Sequence, residues 1–331
     1  MKIELSIIIP VYNRPDDLRE LLESLYFQTD KDFEVIVVDD GSSVTSETVA
    51  KNIQPFLDVK YYYKENSGAS LTRNYGYEKA TGNYAIFLDS DCILYKDYIQ
   101  NVRLRLTNNY VDAFGGSDTA ESPQRTYGGI NTIKPIERIT AKQKAINYAM
   151  TSLLTTGGIR RGVKTLDNWY PRSFNMGYSR EVFNATGGFT GTIRPNDPDL
   201  DIDMSIRIKK LGFKIGYIKE AAVYHKRRST FRQFSKQVYR FGKARMTLYR
   251  LHPDSLKFVY LLPLLFTLAL LFGIAFNFMT PFILFALAIF VHSTLKTKNI
   301  YVGLLSVIAS YIQLISYGFG FLLEYKLVGV K

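Results

Sequence analysis

Over the first ninety residues, short apolar runs alternate with apolar positions at helical spacing. Residues 5–11 are apolar through Pro10, Leu18, Leu21, Leu22 and Leu25 recur helically over residues 15–28, and residues 34–38 form a second run that stops at Asp39-Asp40-Gly41-Ser42. The alternation continues with a helix over about 46–54, a strand at 59–63, a helix over about 70–80 and a strand at 84–88. Strand, helix and strand joined by short turns predict a parallel α/β sheet. Ligands of such sheets sit outside the carboxyl ends of the strands. Tyr12-Asn13, Asp39-Asp40 and Asp89-Ser90-Asp91 all fall there.

After Asp91 the pattern loosens. Residues 111–116 read as a further strand, 117–167 as variable substrate-facing structure with a helical stretch near 141–154, and 201–211 as a helix ended by Gly212. Residues 213–218 and 221–224 read as short closing strands that deliver His225. A globular α/β domain over residues 1–225 follows. Beyond it, residues 258–276 carry no charge, apolar character resumes over 279–295, and residues 300–323 are again uncharged. These lengths predict three membrane helices and a short tail at 324–331.

The formal net charge of +12 suggests nucleic acid until its distribution is read. Between residues 226 and 257, ten lysines and arginines stand against Asp254 alone, which accounts for most of the excess. A basic block beside membrane segments matches anionic headgroups and the positive-inside rule, so the globular domain is expected on the cytoplasmic face and nucleic acid is not an expected partner. Within the block, Phe231, Phe234, Val238 and Phe241 alternate with Arg232, Lys236, Arg240 and Lys243, as in a helix lying in the headgroup plane. The single Cys92 excludes an intramolecular disulfide and agrees with a reducing compartment. No leader peptide is expected, because no apolar run precedes the first strand.

Two carboxylates one residue apart at a strand end, Asp89 and Asp91, can face one way and share a cation, although Asp-Ser-Asp also suits a plain turn. The chain resembles the family 2 glycosyltransferases of GT-A fold over roughly residues 3–225. The matching pieces are Ile8-Ile9-Pro10-Val11-Tyr12-Asn13, Val37-Val38-Asp39-Asp40-Gly41-Ser42, Asn66-Ser67-Gly68 with Arg73-Asn74-Tyr75-Gly76, Leu88-Asp89-Ser90-Asp91, and Gly187-Gly188-Phe189 followed by Asp201. The resemblance implies a Rossmann-like mixed sheet with helices on both faces and inverting transfer of a sugar from a nucleotide diphosphate sugar. It further implies a divalent cation, Mg2+ or Mn2+, on Asp91, with Asp89 touching the ribose or a metal-bound water and His225 completing the metal site. Arg73 would meet the leaving diphosphate, Asp39 or Asp40 the base or ribose, and Pro10, Tyr12 and Asn13 the rest of the nucleotide.

Inversion needs a base on the acceptor hydroxyl, and Asp201 is the candidate. The family usually opens this helix with Glu-Asp, whereas this chain has Leu200-Asp201, and Asp197, Asp199 and Asp203 leave the register open. Gln237-Val238-Tyr239-Arg240-Phe241 resembles the Gln-x-x-Arg-Trp signature of processive synthases with Phe in place of Trp, and three helices enclose no polymer channel. The expected activity is therefore addition of one sugar to a lipid-linked or membrane-proximal saccharide at the inner membrane, in envelope or exopolysaccharide assembly. A polyprenyl-phosphate glycosyltransferase is the enzymatic alternative, disfavoured because Ile93 stands where that family carries Gln. A nucleotide-sugar-binding scaffold without turnover is the other, kept open by Leu200.

Overall fold

In a computed structural model, which describes residues 2–119, 139–157, 170–190, 200–226 and 228–326, every residue of β1 (Leu5–Val11) and β2 (Phe33–Asp40) is buried. Such strands belong to a parallel sheet covered on both faces. The chain divides into two units, the first drawn from residues 2–119, 170–190 and 200–226, the second from 139–157 and 228–326.

The first unit contains α1 (Pro15–Tyr26), α2 (Glu47–Ile53), β3 (Val59–Lys64), α3 (Ala69–Lys79), β4 (Tyr84–Leu88), β5 (Cys92–Leu94), α4 (Tyr98–Asn108) and β6 (Ala113–Thr119). The eight strands of its sheet run in the order β3-β2-β1-β4-β7-β6-β8-β5, where β7 is Asn175–Ser179 and β8 is Ile215–His225. β3, β2, β1 and β4 are parallel, and β7 is antiparallel to β4 and β6. Alternate residues fill two cores, as strand geometry requires. Ile7, Ile9, Val35, Val37 and Ile86 meet the leucines of α1, whereas Ile8, Ile36, Val38 and Phe87 meet Tyr77 of α3. Two further helices of this unit, which follow α5 (Ala141–Thr151) and α6 (Leu153–Thr156) in the chain, are α7 (Arg180–Thr186) and α8 (Leu200–Lys210).

The first three strand ends lie where the apolar pattern puts them, and two later regions do not. Helix α4 was not expected, because its buried Tyr98, Ile99, Val102 and Leu106 are interleaved with Arg103, Arg105 and two asparagines. The two expected closing strands are one, β8: its pairing with β6 steps from Gly116↔Ile218 to Ser117↔Ala222, so the polar Lys219 and Glu220 bulge out while the ladder continues. Asn175 plugs the bulge, donating to the carbonyls of Ser117 (3.2 Å) and Ala221 (2.9 Å). Gly116 must be glycine, since a Cβ there would collide with the Ala221 carbonyl.

On β2, next to the edge strand β3, Glu34 is buried and accepts from Ser6 Oγ (2.6 Å), Thr81 N (2.6 Å), Thr81 Oγ1 (2.9 Å) and Lys60 Nζ (2.7 Å). Burial opposes its charge, but the bonds from Lys60, Ser6 and Thr81 outweigh burial and lower its pKa from 4.5 to about 2. A depressed carboxylate stabilises the fold above its unfolded pKa and loses that contribution as pH falls toward the folded value. Glu34→Gln is therefore expected to cost about 3 kcal/mol at pH 7, with the difference from the unsubstituted chain shrinking between pH 4.5 and 2. Thermal melts across that range measure it, and a constant difference would exclude the linkage.

The second unit is helical: α5, α6, α9 (Phe231–Leu251), α10 (Leu262–Ala275), α11 (Thr280–Thr297) and α12 (Ile300–Lys326). The three expected membrane helices correspond to α10, α11 and α12. Residues Thr280–Thr297 and Ile300–Glu324 are long and apolar enough to cross a membrane, and α10 is shorter. The apolar side of α9, expected to rest on lipid, is covered by protein: Phe234 and Val238 pack with Ala145, Ile146 and Ala149 of α5 and Leu305 and Ala309 of α12.

Candidate active site

β4 ends at Leu88, and Asp89-Ser90-Asp91 does not prolong it but forms a turn closed by Cys92 N donating to Asp89 O (3.0 Å). The two carboxylates are held by different cations. Asp89, a third exposed, accepts from Arg73 Nη2 (2.5 Å). Asp91 is buried, with Oδ2 accepting from Arg14 Nη1 (2.5 Å) and Oδ1 lying 3.1 Å from His225 Nε2. The pairing Cys92↔His225 between β5 and β8 sets that last contact, and Lys226 N donates to Asp91 O (3.2 Å) just beyond. Burial would depress the His225 pKa, but the charge and hydrogen bond of Asp91 more than offset it and the net shift is upward.

Asp91, Cys92 and His225 place one donor atom each within 4.8 Å of the others. The chemistry of the three differs. Burial pushes the Cys92 thiol far above its usual range, and Sγ sits 3.5 Å from the Phe174 carbonyl, so it packs as a neutral group. Carboxylate oxygen and imidazole nitrogen remain, a set that suits Mn2+ or Mg2+ with further ligands from water and phosphate.

Arg14 was not singled out in the sequence, and the turn that aims it explains why. Asn13 adopts a left-handed backbone (φ 53°), tolerated by asparagine, and is strapped to the end of β2: its N donates to Ser42 Oγ (2.8 Å), and its Oδ1 accepts from Ser43 Oγ (2.9 Å) and Val44 N (3.1 Å). Pro15 then starts α1. The sequence signal was Asn followed by Arg-Pro at a strand end; its target, 77 residues away, was not legible.

The expected nucleotide contacts divide into exposed and internal groups. Tyr12 is 51% exposed at the end of β1, whereas Pro10 is buried opposite Val38, beyond the last β1–β4 pair, where its missing N–H costs no ladder bond. Asp39 is fully buried and accepts from Ser42 N (2.9 Å), Ser46 N (3.1 Å) and Tyr61 Oη (2.7 Å). Asp40 accepts from Lys64 Nζ (2.7 Å), Ser67 N (2.9 Å) and Gly68 N (2.9 Å). Both carboxylates are thus engaged by the chain itself, with three donors occupying most of the acceptor sites of each. Asp40 fixes the start of α3, the helix that carries Arg73 to Asp89.

The next residue on α3, Asn74, makes a reciprocal pair with Phe189: Nδ2 donates to its carbonyl (2.8 Å) and Oδ1 accepts from its N (2.9 Å). A Cβ on Gly188 (φ 77°) would lie 2.7 Å from Asn74 Oδ1, which accounts for the Gly-Gly-Phe sequence. The Arg73 guanidinium lies 5.5 Å from the Phe189 ring centroid.

Two of the four candidate bases are distinguished by their partners; Asp197 and Asp199, with the Leu200 side chain, lie outside the described residues. Asp203 is locked by Arg207 (Nη2 2.9 Å) and Thr190 Oγ1 (2.7 Å), and Arg207 also grips the carbonyls of Thr186 and Gly188. Asp201 is also buried, accepting from Ser173 N (3.1 Å) and Ile202 N (2.8 Å), with Arg172 Nη1 3.7 Å away. The residue after Ser173 is Phe174, whose ring stacks on His225 with centroids 4.6 Å apart. One short stretch, 172–174, therefore touches both Asp201 and the ring that faces Asp91.

The mixed sheet, the buried carboxylate–imidazole pair and the row of polar strand ends are those of a glycosyltransferase of GT-A fold. The chain belongs to glycosyl transferase family 2, whose pattern matches residues 6–187. An uncharacterized glycosyltransferase of Rickettsia felis is 38% identical over 109 residues, 33% of this chain and 18% of that protein. A GalNAc(5)-diNAcBac-PP-undecaprenol beta-1,3-glucosyltransferase of Campylobacter jejuni is 33% identical over 115 residues, 34% of this chain and 37% of that protein. The alignment thus spans well under half the length of these curated relatives. Among solved structures, a mannosyltransferase from Pyrobaculum calidifontis in complex with GDP-Man and Mn2+ shares the fold over 94% of this chain and 87% of that one, with a TM-score of 0.55 and 15% identity.

Proposed function

We propose that the protein transfers one sugar, with inversion, from a nucleotide diphosphate sugar to a lipid-linked or membrane-proximal saccharide at the cytoplasmic face of the inner membrane. The observation that carries this reading is the 172–174 stretch, which ties a candidate base, Asp201, to the Asp91–His225 pair. A relative named for an undecaprenol-linked acceptor and a fold neighbour solved with GDP-Man and Mn2+ support the choice of substrates and metal.

Asp91 and His225 would hold the divalent cation, which when bound neutralises charge on the departing diphosphate. Arg73, oriented by Asp89 and by the neighbouring Asn74–Phe189 pair, places a second positive charge beside the same leaving group. Asp89, the more exposed of the two acids, would accept from the ribose or from water on the cation. Asp39 and Asp40 shape the base pocket from inside by fixing the loops after β2 and β3, and Tyr12 supplies an exposed ring. Asp201 accepts the proton of the acceptor hydroxyl, with Ser173 N holding the carboxylate in place.

Arg14 shares Asp91 with the cation. Arg14→Met is expected to tighten Mn2+ binding about fivefold by removing that competitor, discounted for the partial exposure of the guanidinium. Mn2+ titration followed by EPR reads it, and weaker binding would show that Arg14 positions Asp91 instead. The functional reading itself is tested by incubating labelled nucleotide sugars with membrane lipid extract. Label entering the organic phase only with enzyme and divalent cation is expected; label lost as free sugar, or not at all, would refute it.

A further inference from the structure

Within the second unit α12 lies between two layers of opposite character at the same level along its axis. On one side α9 runs beside it in the same direction. Phe234 and Val238 cluster with Leu305 and Ala309, Ser235 Oγ is 2.9 Å from Ser316 Oγ, and Lys243 Nζ is 3.3 Å from Glu324 Oε2. Gly242 and Gly320 allow the approach, since a Cβ on either would collide with the Tyr317 or Tyr239 carbonyl respectively. The paired contacts from Ser316 to Glu324 cover about 12 Å of helix, the same length as the row of cations from Arg232 to Arg240.

On the other side lie α10 and α11. Thr267 Oγ1 donates to Leu314 O (3.3 Å), Tyr311 Oη to Phe282 O (2.5 Å), and Ser293 Oγ to Ser306 Oγ (2.7 Å). The outward faces differ completely. Arg232, Lys236 and Arg240 form an exposed row at four-residue spacing on α9. The hairpin of α10 and α11 exposes Phe272 (59%), Ile274 (58%), Phe276 (68%) and Ile283 (64%), with no charged residue between 258 and 295. His292 of α11 meets protein, with Nδ1 2.7 Å from Tyr148 Oη of α5, and Lys296 stands in the last turn of α11, at the end away from the α10–α11 turn.

An upright α12 would carry the cationic row of α9 through the hydrocarbon, where charged side chains are strongly disfavoured. Fourteen residues of α10 cover about 21 Å against a hydrocarbon core of about 30 Å. We propose that this unit binds one leaflet of an anionic membrane from one side: the α10–α11 hairpin enters the acyl region, α12 lies near the membrane plane, and the α9 row sits at the lipid phosphates. This arrangement rests on the membrane association read above and replaces the three crossings suggested by the apolar segments.

The test uses the full chain in sealed vesicles of phosphatidylcholine and phosphatidylglycerol, oriented with residues 2–119 outside. Asn277→Cys, in the α10–α11 turn, is probed with a membrane-impermeant maleimide added outside or trapped inside; Cys92 is wholly buried, and the unsubstituted chain gives its background. Reaction from outside, or only after mild detergent, is expected, while Lys298→Cys in the α11–α12 turn reacts from outside. Reaction of Asn277→Cys with the trapped reagent would overturn the one-leaflet arrangement. Phe278→Cys repeats the test should the first variant misfold. Failure of the unsubstituted chain to float with the vesicles would overturn membrane association itself, a result distinct from labelling across the bilayer.

Discussion

Asp91→Asn is expected to lower kcat/KM by on the order of a thousandfold while leaving the protein folded. The carboxylate is buried, meets Arg14 and His225 at once, and is the group best placed to hold a divalent cation. Asparagine keeps the shape but not the charge, so Mn2+ affinity falls with the rate. Melting temperature separates this from unfolding: activity per folded molecule must drop far more than the folded fraction. An Asp91→Asn enzyme with near-native turnover and unchanged Mn2+ affinity would remove the metal site from the mechanism.

Asp201→Asn is expected to reduce kcat by about a thousandfold with little change in donor KM, the signature of a lost proton acceptor. Asp203→Asn supplies the contrast. Its carboxylate is engaged by Arg207, which also holds two carbonyls of the Gly-Gly-Phe loop, so its loss is expected to cost about 3 kcal/mol of stability and little chemistry. The two variants should therefore separate into one inactive but stable and one active but labile. The reverse pattern would move the base to Asp203.

Much of the parallel half of the sheet was legible because parallel strands buried on both faces must be apolar throughout, and their exposed ends are where polar residues gather. The sequence therefore showed β1, β2 and β4 and the three clusters beyond them. It could not show how those clusters are used. Asp39-Asp40 reads equally as a turn or as a ligand pair, and the hydrogen bonds show both side chains anchoring loops. Asp89 and Asp91 were expected to share a face by strand alternation, whereas a turn gives each its own cation. The contacts that fix this, Arg14 to Asp91 and β5 to β8, join residues 77 and more than 120 positions apart, which no local pattern encodes. His225 was found by resemblance, and the register Cys92↔His225 supplies its physical reason. In the helical unit composition revealed which residues avoid water, but the choice between lipid and protein as their cover depended on α5, α9 and α12 packing together.

Pulsed EPR of Mn2+ bound in the presence of nucleoside diphosphate tests the centre of this account most directly. A nitrogen coupling from a coordinated imidazole is predicted in the unsubstituted protein and should vanish in His225→Gln, with affinity also lost in Asp91→Asn. A nitrogen coupling that survives His225→Gln, or Mn2+ held equally well without the Asp91 carboxylate, would contradict it.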